Sequence, residues 1–176
     1  MKSQCGRAAI ALEFLRAPAL IMPIMMIDIL PNPLTLSARR PADARWPAVA
    51  AALAHLRAAR RRAVRIVDAE CGDGMLLIGA ALHARAIGFT AIEARGIGID
   101  PLCLRRANNA AAAVRDPAIG LLFEPCELAA GLAEEAAFPA DILLWLGGAG
   151  QRPEVARAAE RAAQIVIGWR APRMAA

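Results

Sequence analysis

The sequence predicts an α/β domain built on a doubly wound, mostly parallel five-stranded sheet, and three observations lead there. An apolar run, Arg65-Ile66-Val67-Asp68, passes through Ala69-Glu70-Cys71-Gly72-Asp73-Gly74 into a helix-like stretch and then a second short strand, Gly96-Ile97-Gly98-Ile99-Asp100. Beyond it, short apolar runs alternate with segments of helical period as far as Trp169, the pattern of an open parallel sheet. The length of 176 residues holds one core, and the 58% hydrophobic fraction overstates that core because much of it is alanine, which buries little area per residue.

Residues 1–46 are read apart from the rest, as an apolar segment and a proline-rich connector leading to a domain over 47–176. Ala17 to Ile27 is apolar but broken by Pro18 and Pro23, and it falls short of the about 20 residues that a membrane-spanning helix needs. Lys2 and Arg7 precede an apolar region in the manner of a secretory leader, but Glu13 and Arg16 interrupt the run and no small-residue cleavage site stands out. The segment is expected to pack on the domain, with a membrane surface or a dimer interface as the alternative. Pro31 to Pro47 carries four prolines and reads as extended chain.

Pro47 opens a helix running to Arg62, with Val49, Leu53 and Leu56 on one face. Its end is basic, with Arg57, Arg60, Arg61, Arg62 and Arg65 close together, and cations are favoured at a helix carboxyl end. A solvated helix end explains them. A phosphate-binding patch for nucleic acid or anionic lipid is the alternative, supported by the formal charge of +5 and a pI near 9.8. With three Trp, four Phe and no Tyr, the chain offers little for stacking bases. His55 and His83 read as surface or packing residues.

The first strand, Arg65 to Asp68, is followed by a helix from Met75 to about Ala86, and the stretch Ile87 to Arg95 is expected to be a helix extension or loop. Then come the strand Gly96 to Asp100, a helix from Leu102 to Val114, a strand Ile119 to Phe123 and a helix from Leu128 to Ala137. The fourth strand is Asp141 to Leu146, the last helix Pro153 to Ala163 and the fifth strand Ile165 to Trp169. Cys5, Cys71, Cys103 and Cys126 show no metal-ligand spacing, so reduced thiols in a cytoplasmic setting are expected, with Cys71 a small filler of its turn.

A strand that turns through glycines into a helix, followed by a strand ending in an acid, suits an adenosine-containing ligand. The glycines let bare backbone approach the ligand, and the acid receives ribose hydroxyls. A dinucleotide fingerprint wants a third glycine three residues after the second, yet Gly74 is followed by Met75, Leu76 and Leu77, and the next glycine is Gly79. That weakens a nicotinamide reading, and no Gly-Lys-Thr loop supports a nucleotide hydrolase.

Asp68 to Gly74 resembles the first motif of the class I S-adenosylmethionine-dependent methyltransferases, an acid and an apolar residue followed by Gly-x-Gly-x-Gly. Gly72 and Gly74 match its second and third glycines, and Glu70 stands at the first. The resemblance covers about Arg65 to Trp169 and implies a Rossmann-like methyltransferase core lacking the usual last two strands, with S-adenosylmethionine as cofactor. It implies that Asp68, Glu70, Cys71, Gly72 and Gly74 form the cofactor turn, and that Asp100, with Pro101 and Leu102, holds the ribose and borders the adenine. Cys126 and Glu127, followed by Leu128, would lie beside the adenine, Asp141 matches the acid opening the fourth strand, and Leu144, Trp145 and Leu146 would approach the methyl. Asp100 also fits a helix-capping role. If Glu70 must adopt a glycine-like left-handed backbone, it costs about 1–2 kcal/mol; its carboxylate would instead suit the cofactor's ammonium.

After the fourth strand the chain reads Leu146-Gly147-Gly148-Ala149-Gly150, where many amino-group methyltransferases place a polar residue, Pro-Pro and an aromatic, so that acceptor class has no support. A sheet stopping at the fifth strand would leave an edge for the amino-terminal segment, a second copy or another protein to cover. The resemblance therefore implies methyl transfer to an acceptor of unidentified class, a protein side chain, small molecule or RNA, with no base identified. The alternative is a non-catalytic binding or assembly module of the same descent.

Overall fold

The computed structural model describes residues 43–147 and 152–168, with the backbone of 173–174, and the expectations for the amino-terminal segment, most of its connector, the glycine loop past Gly147 and Trp169 lie outside them. Helix α1 (Trp46–Ala58) buries Val49, Leu53 and Leu56 and carries Pro47 in its first turn. It ends four residues before the expected Arg62. Arg60 takes a left-handed backbone (φ 62°), and Arg61 N–H donates to Leu56 O while Arg60 N–H donates to Arg57 O. That is the double hydrogen bond of a Schellman stop, with arginine where glycine is usual.

Strand β1 (Ala63–Asp68) leads through the glycine turn to α2 (Met75–Ala86). The stretch after α2 corrects the expected helix extension. Gly88 (φ 100°) stops α2 by the same device, with Phe89 N–H donating to Ala84 O and the Phe89 ring fully buried. Strand β2 then runs over Ala91–Gly98, because Ile92 and Ala94 point inward while Glu93 and Arg95 face the other side. It ends two residues before Asp100, which instead caps α3 (Pro101–Ala111). There follow β3 (Ile119–Pro125), α4 (Leu128–Glu135), β4 (Ala140–Leu144), α5 (Pro153–Ala162), β5 (Ala163–Ile167) and the two-residue β6 (Arg173–Met174).

The sheet order is β3-β2-β1-β4-β5-β6, parallel through β5 with β6 antiparallel. This is a doubly wound, Rossmann-like sheet, and the order of the strands reverses between β1 and β4. The expectation that the sheet stops at the fifth strand is corrected: Ile165 pairs with Met174 and Val166 with Arg173, so part of the β5 edge is occupied. One face carries α1, α2 and α3 over a core that includes Leu53, Ile66, Leu77 and Phe89, and the other carries α4 and α5 over Val67, Ile97, Leu132 and Leu143. On that second face Glu135, 2% exposed, is clamped between Arg65 of β1 and Arg95 of β2, and Arg95 also holds Glu124 and Glu134. Among the described residues no helix is long and apolar enough to cross a membrane.

Phe123 of β3 stands opposite Gly96 of β2 in register, and a side-chain carbon at Gly96 would fall on its ring. A carbon at Gly74 would lie 2.6 Å from the same ring, on a backbone with φ 77°. Gly74→Ala should therefore destabilise the fold by about 1–2 kcal/mol for the left-handed backbone and a further 1–3 kcal/mol, roughly, for overpacking. Arg60→Gly should act in the opposite direction, raising stability by about 1 kcal/mol. Urea denaturation midpoints measure both; an unchanged midpoint for Gly74→Ala would mean that the ring does not constrain the turn.

Candidate functional site

The turn after β1 is stitched to both neighbouring strands. Ala69 N–H donates to Leu144 O of β4 (2.8 Å) and Cys71 N–H to Ile97 O of β2 (3.0 Å). Gly74 N–H closes the turn on Cys71 O (2.8 Å), and Asp73 Oδ1 accepts from Met75 N–H as α2 begins. The two glycines do different work. A side chain at Gly72 (φ 53°) would meet nothing within 4 Å, so its backbone lies open, whereas Gly74 is buried against Phe123 and Ala107. Glu70 keeps an ordinary backbone: among the described residues Arg60 is the only non-glycine with positive φ, so the feared left-handed cost at Glu70 is absent.

Across from the turn, Asp100 Oδ1 accepts from Leu102 N–H (2.8 Å) and Cys103 N–H (3.4 Å), and Oδ2 accepts from the Cys103 thiol (3.3 Å). The capping role is real, and it leaves Oδ2 free of backbone bonds. The Leu102 amide is the main reason the Asp100 carboxyl sits below the usual range, helped by the Cys103 thiol, so it is ionised at neutral pH. Cys126 N–H donates to Gly98 O (3.1 Å), which carries the chain leaving β3 past the end of β2.

These segments enclose a pocket of about 320 Å³ at the carboxyl ends of β1, β2 and β3, the end where open α/β sheets bind ligands. Of the residues expected at the cofactor, Glu70, Gly72, Asp100, Cys126 and Glu127 line it together. Asp68, Cys71, Gly74, Pro101 and Leu102 do not. Asp68 and Cys71 are buried beneath the turn, Gly74 is packed on Phe123, and Pro101 and Leu102 start α3 with their side chains exposed beyond the rim. The pocket adds Ala69, Gly98, Ile99, Cys103, Leu104 and Leu128, of which only Leu128 was expected beside the cofactor. Ile99 and Cys103 flank the acid that ends the second expected strand, a spacing that could have flagged them. Asp141 lies at the opposite end of the sheet, accepting from Arg61 (2.8 Å) and from Arg65 N–H (2.8 Å), so its work is to pin β1 to β4.

The thiols are poor nucleophiles. Burial pushes Cys71 up to about 12, the hydrogen bond to Asp100 raises Cys103, and burial raises Cys126. Cys71 is the filler that was expected. Asp68 is 1% exposed, and burial pushes its carboxyl up to about 7 against the opposing pull of the Arg45 guanidinium and the Glu70 backbone N–H. Arg45, absent from the sequence reading, stands just before α1 and lies beside Asp68 at the carboxyl end of β1. Its Nη1 lies 4.0 Å from Asp68 Oδ1. Among the described residues no group of three or more His, Cys, Asp or Glu could hold a metal ion.

No protein-family model and no curated protein matches the sequence. The chain is similar in structure to a magnesium protoporphyrin IX methyltransferase from Synechocystis PCC 6803 solved with bound SAH, at 21% identity and a TM-score of 0.45, over 69% of this chain and 53% of that one. It is similar also to a precorrin-6y C5,15-methyltransferase from Geobacter metallireducens GS-15, at 16% identity and a TM-score of 0.48, over 74% of this chain and 65% of that one. The chain spans 36% to 65% of the length of the first four such structures.

The Asp68 environment has a measurable consequence. Its folded pKa is raised from 3.8 to about 7, so across that window the folded chain holds a proton that the unfolded chain has lost. Stability should fall as pH rises through the window, with the whole penalty present above it. Asp43, Asp100 and Asp116 are shifted down instead and titrate below the window. Thermal melts at about pH 5 and about pH 8 should show a lower midpoint at the higher pH, and Asp68→Asn should flatten that difference. An equal slope in the variant would assign the effect to another group.

Proposed function

We propose that the chain binds S-adenosylmethionine across the carboxyl ends of β1 and β2 and transfers its methyl group to an acceptor. The observation that carries this reading is the meeting of the open Gly72 backbone, the Glu70 carboxylate and the Asp100 carboxylate in one pocket whose remaining wall is largely apolar. At about 320 Å³ the pocket lies within the ~300–1,000 Å³ of small-molecule sites. Gly72 would let the ligand approach bare backbone. Asp100 Oδ2, free of backbone bonds, would accept the ribose hydroxyls, and Ile99, Leu104 and Leu128 would offer apolar contact to the adenine beside Cys126 and Glu127. The Glu70 carboxylate, in the pocket wall, would take the ammonium of the cofactor's amino-acid end as a charge-assisted bond.

The bound sulfonium would supply an activated methyl, so alignment of acceptor, methyl and sulfur can provide most of the rate without a base. Cys71, Gly74 and Asp68 would act on the cofactor through the shape and charge of the turn. Glu70 lines the pocket and stands in the sequence where the resembled motif has its first glycine, which favours a second reading, in which Glu70 narrows the site and the domain binds or assembles without transferring methyl.

Calorimetric titration with S-adenosylmethionine and S-adenosylhomocysteine, with NAD as control, tests the first reading. Asp100→Asn preserves a capping oxygen and removes the negative charge, so it should weaken binding by about 10- to 100-fold without unfolding α3. Equal affinity in the variant would remove Asp100 from the site. Binding without label transfer from methyl-labelled cofactor to any protein, RNA or small-molecule fraction would favour the second reading, and no binding by the folded chain would overturn the cofactor assignment.

A further inference from the structure

The arginines that follow α1 play no part in the cofactor pocket and lie at the other end of the sheet. Among the described residues Asp141 there pairs with Arg61, Glu93 with Arg65 and Asp116 with Arg85, whereas Arg60, Arg62 and Arg115 are exposed and have no carboxylate partner. Glu160 and Arg161, side by side near the end of α5, offset each other. Arg60 and Arg62 stand in the loop before β1, and Arg115 in the loop before β3. Arg62 O accepts from Thr90 N–H (2.8 Å), which sets this loop beside the one leading into β2. Arg60 keeps its place on a left-handed backbone (φ 62°) that glycine would adopt without strain.

A groove of about 610 Å³ crosses the amino ends of the strands among these loops, lined by Arg61, Thr90, Phe138 and Gln164 with others. Arg61 is exposed and only its Nη2 is engaged, on Asp141, so its remaining N–H groups are free to donate. Phe138 is 72% exposed, while Phe89 and Phe123 are buried in the core. Its ring is nevertheless fixed: the Arg65 guanidinium lies 5.3 Å from the centroid, and Arg65 Nη1 donates to Phe138 O (2.7 Å).

Two features specify the occupant. The uncompensated cations are spread over separate loops, which suits a chain of anions and not a single one. A fixed aromatic ring stands open in the same groove, which suits flat apolar faces carried by that chain. A lipid surface would meet the arginines but, being planar, would leave the recess empty. Single-stranded nucleic acid supplies both features, phosphates at intervals and bases free to stack.

We propose that the groove at the amino ends of the strands binds single-stranded nucleic acid, with Arg60, Arg61, Arg62 and Arg115 on phosphates and Phe138 stacked on a base. The groove and the cofactor pocket occupy opposite ends of the sheet, so this proposal stands or falls apart from the cofactor reading.

The test is fluorescence anisotropy of the whole chain with a labelled single-stranded RNA of about 12 nucleotides and its DNA counterpart, within the length such grooves cover. The duplex, heparin as a polyanion without bases, and vesicles of phosphatidylserine and phosphatidylcholine serve as comparators. Combining Arg60→Gly, Arg62→Gln and Arg115→Gln should weaken binding of either single strand at least about tenfold at low salt, and make the slope of log affinity against log salt shallower by about 2. Arg60→Gly alone favours the backbone it occupies, so its smaller loss of affinity and slope would not come from misfolding. Phe138→Ala should weaken binding about fivefold or more through the loss of one stacked base, with the slope unchanged. Affinity for heparin equal to that for the single strands, with Phe138→Ala without effect, would overturn the proposal in favour of plain cation exchange. Tighter binding of the duplex, or binding of the vesicles alone, would overturn it in favour of those partners. No binding of either single strand at low salt by the folded chain would overturn it outright.

Discussion

The ring of Phe123 occupies the volume that side chains at Gly74 and Gly96 would need, and the geometry of the pocket depends on that contact. Phe123 comes from β3, the outer strand on its side of the sheet, and stands over Gly96 of β2 in register. From there the ring reaches the first residue before α2, so a single side chain ties the outer strand, its neighbour and the glycine turn together. Asn108 of α3 adds to the bond by donating to Phe123 O (3.2 Å) and to Leu104 O (3.0 Å). The turn is thus pressed from below by packing and stitched from the sides by backbone bonds to β2 and β4. What is left open is the Gly72 backbone, which faces the pocket.

Charge is distributed unevenly between the two ends of the sheet. At the amino ends, Asp141 is satisfied by Arg61 and the Arg65 backbone, and Arg65 continues into the clamp on Glu135. Each buried charge there has close partners, as a structural ion network requires. At the carboxyl ends, by contrast, Arg45, Asp68 and Glu70 each keep at least one buried atom without a partner. The two ends of the sheet thus differ in how fully their buried charges are satisfied. A larger groove of about 610 Å³ runs along the amino ends, but the charged residues at its floor, Arg61, Arg65, Glu93 and Asp141, are paired with one another.

The local signals in the sequence were legible wherever a residue's role depends on its neighbours in the chain. The periodic apolar residues of α1, the proline at its start and the glycine turn all act within a few residues and stand where they were expected, while Asp100 takes the capping role that was the alternative to ending the second strand. Two of the boundaries that differ from expectation, the end of α1 and the start of β2, share one cause. Helices α1 and α2 both stop by a left-handed residue, at Arg60 and Gly88, and an arginine in that role gives no warning in the sequence. Because the stop after α2 comes at Gly88, β2 could extend back to Ala91 and absorb the residues assigned to a loop.

By itself the sequence determined the doubly wound class, the order of the elements and the presence of a glycine turn facing an acid, since these follow from periodicity and backbone freedom. Tertiary structure decided which of those residues face the pocket and which hold it up. Gly72 and Gly74 look alike in the chain, yet one is open and the other is packed under Phe123, a residue 49 positions further on. Arg45 carries no motif at all. It comes to lie beside Asp68 because the start of α1 is placed near the carboxyl end of β1, where burial and the charges of Asp43, Asp68 and Glu70 act on it.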